Sequence, residues 1–154
     1  MGIEIRKIEN AEEKRRICRV ILEALPEWFG IPQAREEYVS ESADKLFFAA
    51  MDGENPVGFL CLKETGRDTV ELYVMGVLKA RHRMGVGRAL VEAARRAARE
   101  AGYAFMQVKT VQMGKYAEYD ATNRFYLAMG FKEFEVFPHL WDEWNPCQVY
   151  VMGL

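Results

Sequence analysis

The chain has 154 residues, a formal net charge of -2 and a pI near 5.8, so it lacks the basic excess of a general nucleic-acid binder. Half of it is hydrophobic and 29% is charged, the balance of a soluble globular protein, and its length suits a single domain over residues 1–154. No apolar run approaches the roughly eighteen residues of a membrane helix, and the start MGIEIRKIENAEEKRR has no signal-like apolar core; the expected location is cytoplasmic.

Ile3, Ile5 and Ile8 alternate loosely with charge and predict a first strand. Asn10 followed by Glu13 reads as an N-cap with its capping-box partner, and Ile17, Val20, Ile21, Ala24 and Leu25 recur at helical spacing behind it. That helix ends near Leu25, before Pro26. Pro26–Pro32 is a loop carrying Trp28 and Phe29, and a more polar helix is expected from about Gln33 to Ser42. Leu46–Met51 and Val57–Leu62 form a hairpin around Asp52–Pro56, and a third strand of this group covers Thr69–Leu78.

After Gly87 an amphipathic helix places Leu90, Val91, Ala94, Ala97, Ala98 and Ala101 on one side, with Gly102 closing it. Arg88–Glu92 and Arg96–Glu100 are spaced for i,i+4 pairs. Phe105–Val111 is a strand, Ala121–Met129 a helix, and Phe131–Phe137 and Gln148–Met152 the last two strands. The order β-α-α-β-β-β-α-β-α-β-β is a mixed α/β domain rather than a doubly wound one.

The stretch from Glu71 to Glu92 stands apart. Twenty residues lie between those glutamates without an acid, where composition alone would place about three. Lys79, Arg81, Arg83, Arg88 and His82 lie in that window. Cations at a helix start oppose the macrodipole, so their presence there needs an anion to justify it. Gly85 and Gly87 bare the backbone N–H groups that would meet one, and a phosphate-bearing ligand is the expectation.

Absences narrow the chemistry. The only serines, Ser40 and Ser42, lie in a polar helix without a glycine frame, which argues against a serine hydrolase. Two histidines and three scattered cysteines (Cys18, Cys61, Cys147) give no metal-ligand spacing, so no metal is expected. Gly85-Val-Gly87-Arg-Ala-Leu90 lacks the third glycine of a dinucleotide fingerprint and the Gly-Lys-Thr/Ser ending of a nucleotide P-loop.

Val77-Leu-Lys-Ala-Arg-His-Arg-Met-Gly-Val-Gly87-Arg-Ala-Leu90 resembles the acyl-CoA-binding motif of the GNAT (general N-acetyltransferase) superfamily, with His82 at the usual Arg/Gln position. Thr122-Asn-Arg-Phe-Tyr126-Leu-Ala-Met-Gly-Phe131 resembles the family's later helix, with its tyrosine four residues before Gly-Phe. The resemblance extends over nearly the whole chain. It implies a seven-stranded, mostly antiparallel mixed sheet with about four helices, splayed between the fourth and fifth strands.

By resemblance, backbone groups of Val77 and Leu78 would pair with the pantetheine arm of acetyl-CoA. His82, Arg83, Met84, Gly85, Val86, Gly87 and Arg88 would hold its pyrophosphate, and Asn123 would add a polar contact to the cofactor. Tyr126 would stand beside the thioester sulfur as proton donor. Glu71, on the strand feeding the loop, is the first candidate for general base, with Glu118, Asp120 and His139 as alternatives. Trp28, Phe29, Tyr38 and Trp141 would contact the acceptor, a small-molecule or peptide amine. Two tryptophans interleaved with Asp142 and Glu143 would suit a small cation, against the plainer reading of a rigid loop with its acids in water. A homodimer is implied by resemblance alone; nucleic-acid and membrane partners are not expected. Two rivals remain at this point: a CoA-binding regulatory domain without turnover, and a partner-binding module that uses the basic loop as a docking patch.

Overall fold

Asn10 opens the first helix as its spacing predicts: the Glu13 N–H donates to Asn10 Oδ1 at 2.9 Å. The reciprocal half of the capping box does not form, because the Glu13 carboxylate turns to Arg16 instead. The computed structural model describes residues 2–154. Its elements are β1 (Glu4–Lys7), α1 (Ala11–Glu23), α2 (Pro32–Ser42), β2 (Leu46–Asp52), β3 (Asn55–Gly66), β4 (Thr69–Val77), α3 (Val86–Glu100), β5 (Phe105–Val111), α4 (Ala117–Ala128), β6 (Lys132–Phe137) and β7 (Cys147–Gly153). A short 3-10 turn, Lys79–Arg81, follows β4. None of the helices among the described residues is long and apolar enough to cross a membrane.

The order of elements is the one expected, and the seven strands form one sheet in the order β1-β2-β3-β4-β5-β7-β6. β1–β2, β2–β3, β5–β7 and β6–β7 run antiparallel, while β4–β5 is parallel. That parallel ladder is short. Thr69, Val70 and Glu71 pair with Phe105, Met106 and Gln107, and the rest of β4 takes no part in it.

Contacts divide the chain into two compact units, Met1–Lys63 with Tyr73–Ala97, and Glu64–Leu72 with Ala98–Leu154. In the first, α1 buries Ile17, Cys18, Ile21 and Leu22 against Phe47, Ala49, Phe59 and Val74. Each such aliphatic side chain contributes about 1.5–3 kcal/mol on burial. Phe47 and Phe59 stack at 5.2 Å. The helix and the residue Leu25 beyond it come so close to β4 that a Cβ on Gly76 would lie 3.0 Å from Ile21 Cγ2 and 2.9 Å from Leu25 Cδ1, so a larger residue there would have to displace those side chains.

In the second unit, Met106, Val108 and Thr110 alternate to the buried side of β5, and α4 contacts that strand. Tyr126, Phe131 and Tyr150 form its aromatic centre, with Tyr126 and Phe131 edge to face at 5.6 Å. α4 begins four residues earlier than expected. Tyr116 occupies the N-cap position and gives no side-chain cap, so the acids of the first turn, Glu118 and Asp120, are the start signal the sequence carries.

Candidate active site

In the first unit, β4 leads into the basic loop and then α3. Leu78 N–H donates to Val57 O at 2.9 Å, and Arg81 N–H closes the following turn on Leu78 O. The chain then passes through two positions of positive φ, Arg83 at 65° and Gly85 at 80°. For an L residue this conformation costs about 1–2 kcal/mol, so Arg83 holds a strained place that a loop without a task would give to glycine. Such alternation also turns successive N–H groups toward one side, the geometry of an anion nest.

The first intrahelical bond of α3 runs from Ala89 N–H to Gly85 O at 3.0 Å. The amides of Val86, Gly87 and Arg88 therefore precede the helical ladder, with the positive end of a fifteen-residue helix behind them.

The cations of this loop divide into two pairs. Lys79 Nζ is bound to Glu27 at 2.7 Å and Arg81 to Asp52 at 2.6 Å. Arg83 and Arg88 are exposed and make no ion pair among the described residues. His82 Nε2 lies 2.8 Å from Val77 O. A carbonyl only accepts, so that nitrogen carries the hydrogen. Here two expectations change. Leu78 N–H is already bonded to β3, which leaves Val77 as the strand end whose N–H points elsewhere, because neighbouring residues of a strand bond to opposite sides. Along α3, the ion pair formed is Arg95–Glu92 at 3.1 Å, three residues apart, in place of the i,i+4 pairs drawn from Arg88 and Arg96.

Of the aromatic residues expected to meet the acceptor, Trp28, Phe29 and Tyr38 are partly buried against the first unit's core. The Trp28 ring meets the His82 ring edge-on at 6.0 Å, which sets the Pro26–Pro32 loop against the start of the cradle. Phe29, Tyr38 and Tyr73 form a chain of edge contacts at 5.9 and 5.3 Å. Tyr73, which sequence reasoning did not single out, donates its hydroxyl to Glu41 at 2.7 Å. Burial first, then that carboxylate, pushes the phenol well above its ordinary range. Lys45 and Lys63 lie over its ring at 5.6 and 5.2 Å.

In the second unit, Glu71 is 9% exposed rather than facing solvent, and its Oε1 lies 3.1 Å from Lys109 Nζ. Sequence reasoning missed Lys109, since a lysine alternating through a strand reads as a solvated residue. Cys147 is fully buried nearby on β7; burial pushes its thiol up to about 11, with Lys109 lowering it and Glu71 raising it. It is a protonated thiol at neutral pH and a poor nucleophile.

Asn123 is fully buried and its amide is committed within the fold. Its Nδ2 donates to Val111 O at 2.8 Å and to Tyr119 O at 2.6 Å, while Oδ1 accepts from the Tyr150 hydroxyl at 2.5 Å. This ties α4 to the end of β5 and the middle of β7, a different use from the cofactor contact expected of it. Tyr126 is 6% exposed, with its ring among Phe125, Phe131 and Tyr150. Of the alternative bases, Asp120 accepts from Gly114 N–H at 2.7 Å, and His139 lies on the surface. Trp141 and Trp144 are 47% and 70% exposed, but Asp142 between them folds its own loop. It accepts from the N–H groups of Trp144 and Asn145, and the Asn145 side chain holds its carboxyl below the usual range. The plainer reading fits Asp142.

A family model described as an acetyltransferase (GNAT) domain matches residues 43–133, more than half of the chain. The chain belongs to the GNAT acetyltransferase family. No curated protein sequence matches it. Among solved structures, a protein assigned to the GNAT family from Desulfovibrio desulfuricans is 21% identical, with 99% of each chain covered and a TM-score of 0.83. The ribosomal-protein-S18-alanine N-acetyltransferase of Escherichia coli is 17% identical, covering 98% of this chain and 93% of its own, at a TM-score of 0.77. The PaiA N-acetyltransferase of Thermoplasma acidophilum, solved with coenzyme A, is 18% identical over 97% of this chain and 98% of its own, at 0.71. These likenesses show the fold.

Proposed function

We propose that the chain transfers an acetyl group from acetyl-CoA to an amine by direct attack in a ternary complex. The observation that carries this reading is the start of α3, where amides ahead of the helical ladder stand beside Arg83 and Arg88, cations without an ion pair among the described residues. A diphosphate supplies the negative charge that such an arrangement calls for. The N–H groups from Arg83, Met84, Gly85, Val86, Gly87 and Arg88 are the proposed cradle; that of His82 is already bonded to Lys79 O at 3.1 Å. Val77 is the proposed partner of the pantetheine arm, which would extend along it as an added strand.

The acceptor sets the chemical demand. A primary amine of pKa near 10.4 costs about 4–5 kcal/mol to deprotonate at pH 7, and a placed base contributes about 10²–10⁴-fold. Glu71 is the proposed base, acting directly or through water. The amine nitrogen then forms its bond to the thioester carbonyl carbon as the carbon–sulfur bond breaks. Two protons leave the ammonium nitrogen, through the base and solvent, and one of them ends on the departing thiolate, which the proposed donor Tyr126 meets with a hydrogen bond. A phenol of pKa about 10 does not fully protonate a thiolate of about 8.5, so Tyr126 acts mainly by hydrogen bonding as charge grows on sulfur. Trp28, Phe29, Tyr38 and Trp141 are the proposed acceptor contacts, and Asn123 is assigned to holding α4 in place.

The test has two parts. CoA at 100 times its Kd should stabilise the protein by about 2.7 kcal/mol, read as a rise in Tm. Acetyl-CoA should then release thiol when offered pooled amines, amino acids, aminoglycosides or peptides. Binding without release would favour the second reading, a CoA-binding regulatory domain, which the burial of Tyr126 also supports. No stabilisation by CoA would end both readings.

A further inference from the structure

Glu71 is the last residue of β4 to pair with β5, where it stands opposite Gln107. Lys109 lies two residues further along β5, on the same face as Gln107. Its ammonium reaches Glu71 Oε1 at 3.1 Å, with the two side chains only 26% and 11% exposed. Opposite Lys109 on β7 stands Val149, which is buried, and two residues before it is the fully buried Cys147. Cys147 is near enough for Lys109 and Glu71 both to act on it, and it is protonated at neutral pH. Glu71 is thus faced by one cation from β5 and a neutral thiol from β7, on an apolar floor.

A carboxylate in such a place is disfavoured by desolvation and retained by its partner. We propose that Lys109 is a positioning residue for acetyl transfer, holding the Glu71 carboxylate in one orientation so that it can draw the acceptor's proton, directly or through an ordered water. The inference rests on the proposed role of Glu71 as base. A carboxylate clamped in this way is a fixed acceptor of hydrogen bonds more than a final resting place for the proton, which suits relay through water.

The experiment compares Lys109→Met and Lys109→Arg with the parent chain and with Glu71→Gln. The probes are acetyl-CoA and whichever amine pool releases most thiol. Lys109→Met should lower kcat/KM for the amine by about 10²-fold at pH 7, within the range for a lost base, and leave KM for acetyl-CoA unchanged. The loss should fall on kcat rather than on the amine's KM, as expected of a group that acts only in the chemical step. Lys109→Arg should recover most of the activity. A parent-like kcat in Lys109→Met, with Glu71→Gln inactive, overturns the positioning role and leaves Glu71 as base. Full activity in Glu71→Gln removes the base reading and this inference with it. Lys109→Gln is the second neutral variant. If neither neutral variant folds while Lys109→Arg does, the pair is a fold contact and the proposal fails.

Discussion

The basic loop of the first unit and the polar side chains of the second are both rich in groups able to bind or react, yet they are occupied very differently. Around α3's start the backbone N–H groups precede the helical ladder, and Arg83 and Arg88 have no acidic partner among the described residues. In the other unit Asn123, Asp120 and Asp142 each already hold partners inside the protein. Binding capacity that rests on backbone geometry remains available after folding, whereas buried polar side chains must be satisfied or cost stability. A residue type in a family motif therefore says less about function than whether the fold has left it anything to give.

The largest effect should come from breaking the committed side. Asn123→Ala removes one donor group and one acceptor and leaves Val111 O, Tyr119 O and the Tyr150 hydroxyl to find other partners. Each buried group left unsatisfied costs about 1–3 kcal/mol, so a loss near 3–4 kcal/mol is expected in urea unfolding, after allowance for relaxation. Asn123→Asp should be nearly as damaging, because it replaces the donating nitrogen by an acceptor facing two carbonyls. An Asn123→Ala protein of parental stability with weakened CoA binding would return Asn123 to the cofactor and cancel the contrast.

The same contrast explains what could be read in advance. β5 was legible to the residue, because Phe105–Val111 is a β-rich run between turn residues, and α1 followed from its apolar spacing and Asn10. The start of α4 was not, as Lys115–Tyr119 carries neither a cap nor an apolar stripe. Within the site, the acid-free stretch and its glycines exposed the cradle because a backbone device leaves its signature in consecutive residues. The Lys109–Glu71 pair joins residues 38 apart, and the commitment of Leu78 N–H to Val57 depends on strand pairing. Partners brought together by register leave no local pattern to find.

A middle-sized effect should follow from the uncommitted cations. Arg83→Ala and Arg88→Ala should each weaken CoA binding by about tenfold, near 1.4 kcal/mol, as measured by calorimetry. The loss should shrink as salt is added, because exposed charges on both partners are screened. Arg83→Gly makes the comparison sharper. It removes the charge and relieves the positive φ, so it should bind CoA as poorly as Arg83→Ala while unfolding at higher urea. If it bound as well as the parent, the arginine's value would lie in loop shape and the amides alone would carry the anion.

The smallest effect should come from Lys79 and Arg81, only a few residues from Arg83 in the same loop. Their charges are answered by Glu27 and Asp52, and both pairs are partly solvent-exposed, where an ion pair contributes about 0–1 kcal/mol. Lys79→Ala and Arg81→Ala should therefore change CoA affinity by less than about threefold and stability by less than about 1 kcal/mol. Removing the acids tests the converse. Glu27→Gln with Asp52→Asn releases both cations, and if proximity to the cradle is all that matters, CoA should then bind more tightly at low salt. Should Lys79→Ala and Arg81→Ala instead cost as much as Arg83→Ala, the division between answered and unanswered cations would have no meaning. The loop would then act as a diffuse basic patch, and acidic protein or RNA would compete with CoA for it on equal terms.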